Sequence, residues 1–299
     1  MQVDVALIEA IKQKHRFRVD NHRAEKTTTL WMKAICRRLA TPPNVARTLS
    51  SDELARAAAL FDACEAARKG KQPEVLPPRF EIAASHLASF FLMREHPKKL
   101  RKAYEKELRA LARQLPVWPW VKATVGFGDL MLGQIVGEAG DLSLYSAPGK
   151  LWKRLGVGIV QGQIQRKTTD KELAIAMGYN ANRRAIVWNL GECLVKAGGA
   201  YADLYRERKA YEIAKAVAQG LTVIEAAKIA KMKPTDRHAY VSKGHIDRRA
   251  KRWMTKQCLV DLWLAWNPDR ADDAKPRRTS ALFQAAALLE GHATAGAVH

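Results

Sequence analysis

The sequence predicts an all-α fold, and three observations predict it. Apolar residues recur at helical spacing from Val3 onward, no alternating pattern of useful length occurs before residue 116, and proline or glycine closes the periodic segments. With 299 residues, 47% hydrophobic and 27% charged, the chain is long enough for one large or two medium domains with cores of their own.

The first periodic segment, residues 3–39, is basic and is closed by Thr41-Pro42-Pro43-Asn44. A second helix is expected from Ser51, capped by Ser51 or Asp52, with Leu54, Ala58, Leu60 and Phe61 as its apolar stripe. KGKQPEVLPPRF breaks it, and residues 81–93 and 98–115 read as two further helices interrupted by His96-Pro97. Residues 1–115 therefore read as a helical stalk or linker domain, a hairpin or coiled-coil-like element. At PVWPWVK the texture changes, and residues 116–266 form a second helical domain. The polar run NPDRADDAKPRRTS opens a last segment, 267–299, with a short alanine-rich helix and a loose end at 291–299.

Residues 124–141, TVGFGDLMLGQIVGEAGD, place five glycines in an apolar helical pattern. A glycine inside a helix costs about 1 kcal/mol relative to alanine, so these need a geometric reason. Val125-Gly126-Phe127-Gly128 has the hydrophobic-Gly-hydrophobic-Gly order of a helix-hairpin-helix turn. Glycines at positive φ permit the bend, and the next helix offers free amides and a positive dipole end to a phosphate. Gly133 and Gly137 fall four apart on one face, where another helix can approach, and Gly140 is placed to cap the C-terminus. Gly-x-Gly also opens helices in nucleotide-binding βαβ units, but no strand precedes it here.

The 51 Lys and Arg against 30 Asp and Glu leave a net charge of +21, which predicts a polyanionic partner. Residues 151–256 hold 22 basic and 9 acidic residues, so +13 of the excess is regional. Candidate phosphate contacts are Gly126, Phe127 and Gly128 in the turn, then Lys150, Lys153, Arg154, Arg166, Lys167, Arg183, Arg184, Arg248, Arg249, Lys251 and Arg252. Trp188 and Trp253 are expected in the core. Asp203, Glu207 and Glu212 among Tyr201, Tyr205 and Tyr211 read as an ordinary surface helix, and residues 224–233 (IEAAKIAKMK) carry a weak match to the first helix of a helix-turn-helix.

Cys36, Cys64, Cys193 and Cys258 are scattered, which predicts buried reduced thiols, and His15 and His22, seven apart, are expected on a solvated face. No metal and no cofactor is expected. With no run of about 18 apolar residues and an early charged N-terminus, the expectation is a cytoplasmic protein with no membrane partner.

The stretch VGFGDLMLGQIVGEAGDLSLYSAPGKLWKRLGV resembles the C-terminal domain of the one-ten family of insertion-sequence transposases, whose better-studied members are bridge-RNA-guided recombinases. GYNANRRAIVWNLGECLVKAGGAYADLYRERK continues the resemblance, with Gly178, Arg183 and Arg184 at matching places. HIDRRAKRWMTKQCLVDLWLAW is similar to that domain's closing helix, and IKQKHRFRVDNHRAEKTTTLWMKAI to the long helix linking the family's two catalytic domains. The resemblance covers most of residues 5–266 and is strongest over 118–208. It implies a DNA-binding, transposase-like protein of a mobile element, with DNA or RNA as partner and a homodimer or a separate RuvC-like chain as its assembly. Two departures bear on catalysis. The family opens with a RuvC-like nuclease domain whose four acidic residues hold magnesium, and the resemblance here begins after it. The family's nucleophilic serine has no counterpart, since no serine lies between Ser146 and Ser242, and in LGVGIVQGQIQRKTTD the nearby hydroxyls are Thr168 and Thr169. The expectation is a protein inactive on its own. The alternatives are an active or split recombinase using Thr168, Thr169 or a partner RuvC-like chain, and a binder of structured RNA.

Overall fold

The computed structural model of the protein describes residues 3–41, 48–71 and 75–273. Within them the chain is all-α in class, with eleven α-helices and four strands of two or three residues. Most of the Thr41–Asn44 break and the alanine-rich end expected past residue 273 lie outside the described residues. Residues 13–108 form one compact unit, and the described residues on either side form a second. No described helix is long and apolar enough to cross a membrane.

The unit of residues 13–108 is built from α1 (Val5–Ala40), α2 (Ser51–Arg68) and α3 (Phe80–Ala112). The cap of α2 is Ser50, one residue before the expected Ser51 or Asp52. Its hydroxyl accepts the Glu53 N–H while the Glu53 carboxylate accepts the Ser50 N–H at 2.8 Å, a reciprocal pairing that a Glu or Gln three residues on completes. The buried stripe of α2 is Ala57, Leu60, Phe61 and Cys64, packed with Met32 and Cys36 of α1 and Ala83, Leu87 and Phe91 of α3. Leu54 and Ala58, expected in that stripe, lie on exposed faces because the 57-60-61-64 spacing sets the helix rotation.

The two helices expected on either side of His96-Pro97 are one helix, α3, with Pro97 inside it. An internal proline costs about 3 kcal/mol, and contacts on both sides offset it. Leu87, Phe91 and Arg94 are buried before Pro97 and Leu108 after it. Lys98 pairs with Glu95 across the proline at 3.1 Å, and Arg101 is held by Glu25 of α1 at 2.7 Å. Among the thiols Cys36, Cys64 and Cys258 are buried, whereas Cys193 is exposed. Burial, with Cys64 nearby, pushes the Cys36 thiol up to about 11. His15, expected in solvent, is buried.

In the second unit α4 (Trp118–Ala123) and α5 (Asp129–Ala139) flank the glycine turn, a 3-10 turn covers Leu142–Leu144, and α6 (Pro148–Arg154) follows. β1 (Ile159–Val160) and β2 (Gln163–Ile164) pair antiparallel with Ile159 opposite Ile164. Then come α7 (Lys171–Met177), α8 (Ala181–Ala197) and α9 (Ala200–Ala218). β3 (Thr222–Ile224) and β4 (Tyr240–Ser242) pair in parallel around α10 (Ala226–Ala230), and α11 (Lys243–Trp266) closes the unit. The segment with the weak helix-turn-helix match thus runs from a strand into a five-residue helix with no buried residue. These strands are too short for an alternating pattern to announce them.

Helix α11 is the centre of this unit, packing on α6, α8 and α9. Its Ala250, Met254, Cys258, Leu259, Leu262, Trp263 and Trp266 are buried. Both indoles are satisfied: Trp263 Nε1 donates to the Tyr145 carbonyl at 2.9 Å and Trp266 Nε1 to Asp141 Oδ1 at 3.0 Å. Asp141 also accepts the Ser143 N–H, so the Gly-Asp-Leu-Ser segment is a cap and a brace for α11 at once.

Candidate nucleic-acid interface

The glycine turn has the expected order of short helix, tight turn and helix, and Gly140 ends α5 at φ +78°. Its two glycines do different things. Gly126 has φ +86°, and a Cβ there would stand 2.8 Å from the Cys193 carbonyl oxygen and 2.9 Å from Leu194 Cα, so the turn lies directly against the α8 backbone. Gly128 has φ −98° and open space where a Cβ would be, so positive φ, expected of both, is required of Gly126 alone. Phe127 is buried with its ring edge-on to Trp120 at 6.0 Å, which makes it a packing residue.

The positive end of α5 already holds an anion from its own chain. Asp129 is buried, and its carboxylate accepts the Leu130 N–H at 2.7 Å, Arg109 at 2.5 Å and Arg113 at 2.7 Å. Burial alone would raise this carboxyl, but the bonds from Arg113, the Leu130 amide and Arg109 outweigh it and hold it below the usual carboxylate range. The charge expected from a phosphate at this helix start is thus supplied by Asp129.

The basic residues divide by partner. Arg183 pairs with Glu138 at 2.9 Å, and Lys251 with Glu192 at 2.7 Å and Asp247 at 3.1 Å, so both are neutralised internally. Arg249 lies 3.6 Å from Glu212, which is buried and held by Arg208, unlike the solvated carboxylate expected there. Lys150, Lys153, Arg154, Arg166 and Lys167 are exposed; Arg154 donates to the Glu138 carbonyl at 2.9 Å. Trp188 is exposed beneath Lys251, and Trp253 lies under Arg208, so neither is the core residue expected. Thr168 Oγ1 accepts the Asp170 N–H at 3.3 Å, and Thr169 is exposed.

What is left is a row of cations without carboxylates. Arg248, Arg252 and Lys256 follow one another at i, i+4 and i+8 on α11, so their side chains share one side of the helix. Like charges at that spacing destabilise a helix by about 0.2–0.5 kcal/mol per pair. Among the described residues none of the three has a carboxylate within 4 Å, and Arg252 is half-buried. Burial lowers the Arg252 guanidinium, and Arg184, Arg249 and Arg248 press it further in the same direction. Arg184 is fixed from α8: it donates to the Gln165 carbonyl at 2.6 Å and lies over the Tyr179 ring. Gln165 is fully buried and bolts this region together, accepting the Gly158 N–H at 2.7 Å and donating to the carbonyls of Lys153 and Met177. Lys256 and Trp152, absent from the candidate residues, complete the row, and the four-residue spacing of Arg248, Arg252 and Lys256 was the signal for the lysine.

No family model, no curated protein and no solved structure matches the chain.

Proposed function

We propose that this protein binds nucleic acid through the face carrying Arg184, Arg248, Arg252 and Lys256, and acts as a DNA-binding, transposase-like component of a mobile element without catalysis of its own. The observation that carries the reading is the half-buried Arg252, flanked by like charges and with no carboxylate within 4 Å among the described residues. An arrangement that costs stability in the free protein is understandable when a polyanion supplies the missing charge. Exposed Lys150, Lys153, Arg166 and Lys167 add further solvent-facing cations to the same unit, and the resemblance to the one-ten family supports the same partner. Thr168 spends its hydroxyl in a local turn, so the alternative of threonine-based strand transfer gains no support from its surroundings.

Affinity for duplex DNA is expected to fall with salt at a log-log slope of about −0.9 per phosphate neutralised, and an Arg248→Ala, Arg252→Ala double variant to lower the slope by nearly two such contacts. A parent protein that fails to bind duplex DNA or structured RNA at low salt overturns the reading. With magnesium, supercoiled plasmid is expected to stay intact; cleavage lost in a Thr168→Ala, Thr169→Ala variant would establish the enzyme instead.

A further inference from the structure

Lys256 stands apart from the other cations of the row. Its ammonium group lies 4.7 Å over the centroid of the Trp152 ring, between α11 and α6. The Nε1–H of that same indole is buried without an acceptor. The charged group acting on Lys256 is Arg252, one turn earlier, and it repels. Beyond Arg252 lie Arg184 of α8 and Arg248 and Arg249 of α11. A buried indole N–H normally finds a partner and a part-buried ammonium normally finds a carboxylate; among the described residues neither is found here.

We propose that Lys256, Arg252 and the Trp152 indole form a seat for a single phosphate of the nucleic-acid backbone, occupied in the protonated state of Lys256. This inference rests on the nucleic-acid reading above and narrows it to one position and one protonation event. The aromatic face beneath the ammonium holds it in place, and Arg252 one turn earlier sets a second cation on the same side of α11, so one oxyanion can meet both, which a solvated lysine on a helix surface does not offer. Burial, and then Arg252, push the Lys256 ammonium down to about 8, so the free seat loses one of its two positive charges within an accessible pH range. A bound phosphate favours the charged form, so above that pH binding takes up a proton and affinity falls as pH rises. Arginines hold their charge throughout, and a phosphodiester does not titrate there, so the seat has its own pH signature.

The test is binding of a fluorescein-labelled duplex to the full-length protein at constant ionic strength. Between about pH 7 and about pH 9 the parent is expected to lose about tenfold in affinity, the fraction of charged Lys256 falling by that factor. Lys256→Arg is expected to bind at neutral pH like the parent and to show no such fall, and Lys256→Met to bind weakly at both ends. Binding by the parent that is salt-sensitive yet flat with pH overturns the seat and leaves the nucleic-acid reading intact, as does a Lys256→Arg variant that keeps the parent's slope. If the parent binds no duplex or RNA, the broader reading fails and sulfate, a non-titrating tetrahedral anion, decides the seat. A melting temperature raised by sulfate over chloride in the parent, and not in Lys256→Met, upholds an oxyanion site; an equal response in both overturns it.

Discussion

Residues 13–108 carry 20 Lys and Arg against 11 Asp and Glu, and residues 151–256 carry 22 against 9. The two regions are both strongly basic, yet their buried cations are treated differently. In the first, each shielded arginine meets a carboxylate: Arg94 pairs with Glu65, Arg18 with Glu105 at 3.1 Å, and Arg101 with both Glu25 and Glu105. In the second, Arg252 and Lys256 are shielded among like charges and no described carboxylate approaches them. Net charge points to a polyanion for the whole chain, but it is burial without a partner that sets the proposed binding face apart from an internally neutralised one.

The largest effect that would break this contrast is in the first region. Arg94→Met leaves the shielded Glu65 with the longer 3.8 Å pairing to Lys69 in place of its arginine, and is expected to cost about 3 kcal/mol, read as a lower urea midpoint. An unchanged midpoint would mean that the pairing there contributes as little as a surface ion pair. Next is the turn. Gly126→Ala forces a Cβ into the α8 backbone at φ +86° and is expected to cost about 2 kcal/mol, whereas Gly128→Val, at φ −98° in open space, should stay within about 0.5 kcal/mol of the parent.

Asp129→Asn is expected to cost about 1–2 kcal/mol at neutral pH, because Arg109 and Arg113 lose a charged acceptor but are themselves half-exposed. The Asp129 carboxyl is depressed in the folded protein, so its contribution is complete above the ordinary carboxylate range and disappears as pH falls through the lower folded value. An acid titration of thermal stability should therefore fall less steeply in Asp129→Asn than in the parent. The smallest effect belongs to the bare row. Lys256 is depressed when folded, so its charge is a burden on stability below about pH 8, relieved as pH rises toward the unfolded value near 10.5. Lys256→Met is expected to melt no lower than the parent at neutral pH, with any advantage shrinking at alkaline pH. A clear loss of stability would mean that Lys256 has an internal partner and that the two regions do not differ in kind.

Much of the fold was determined by the sequence itself, because the physics of its elements is local. The all-α class, the basic first helix, the turn at Val125–Gly128 and the cap at Gly140 follow from periodicity, proline and glycine over a few residues. The box around Ser50 and Glu53 was equally local and was missed by one residue. The tertiary structure alone decided the rest. Pro97 is carried through α3 by contacts with residues far away in sequence. The start of α5 is closed by Arg109 and Arg113, sixteen or more residues upstream. Of the candidate cations, Arg183 and Lys251 are neutralised by Glu138 and Glu192, 45 and 59 residues away, while Arg252 is not. Whether a charge is free depends on which carboxylates the fold brings within a few ångströms of it, and that distance is a property of packing that no spacing along the chain records.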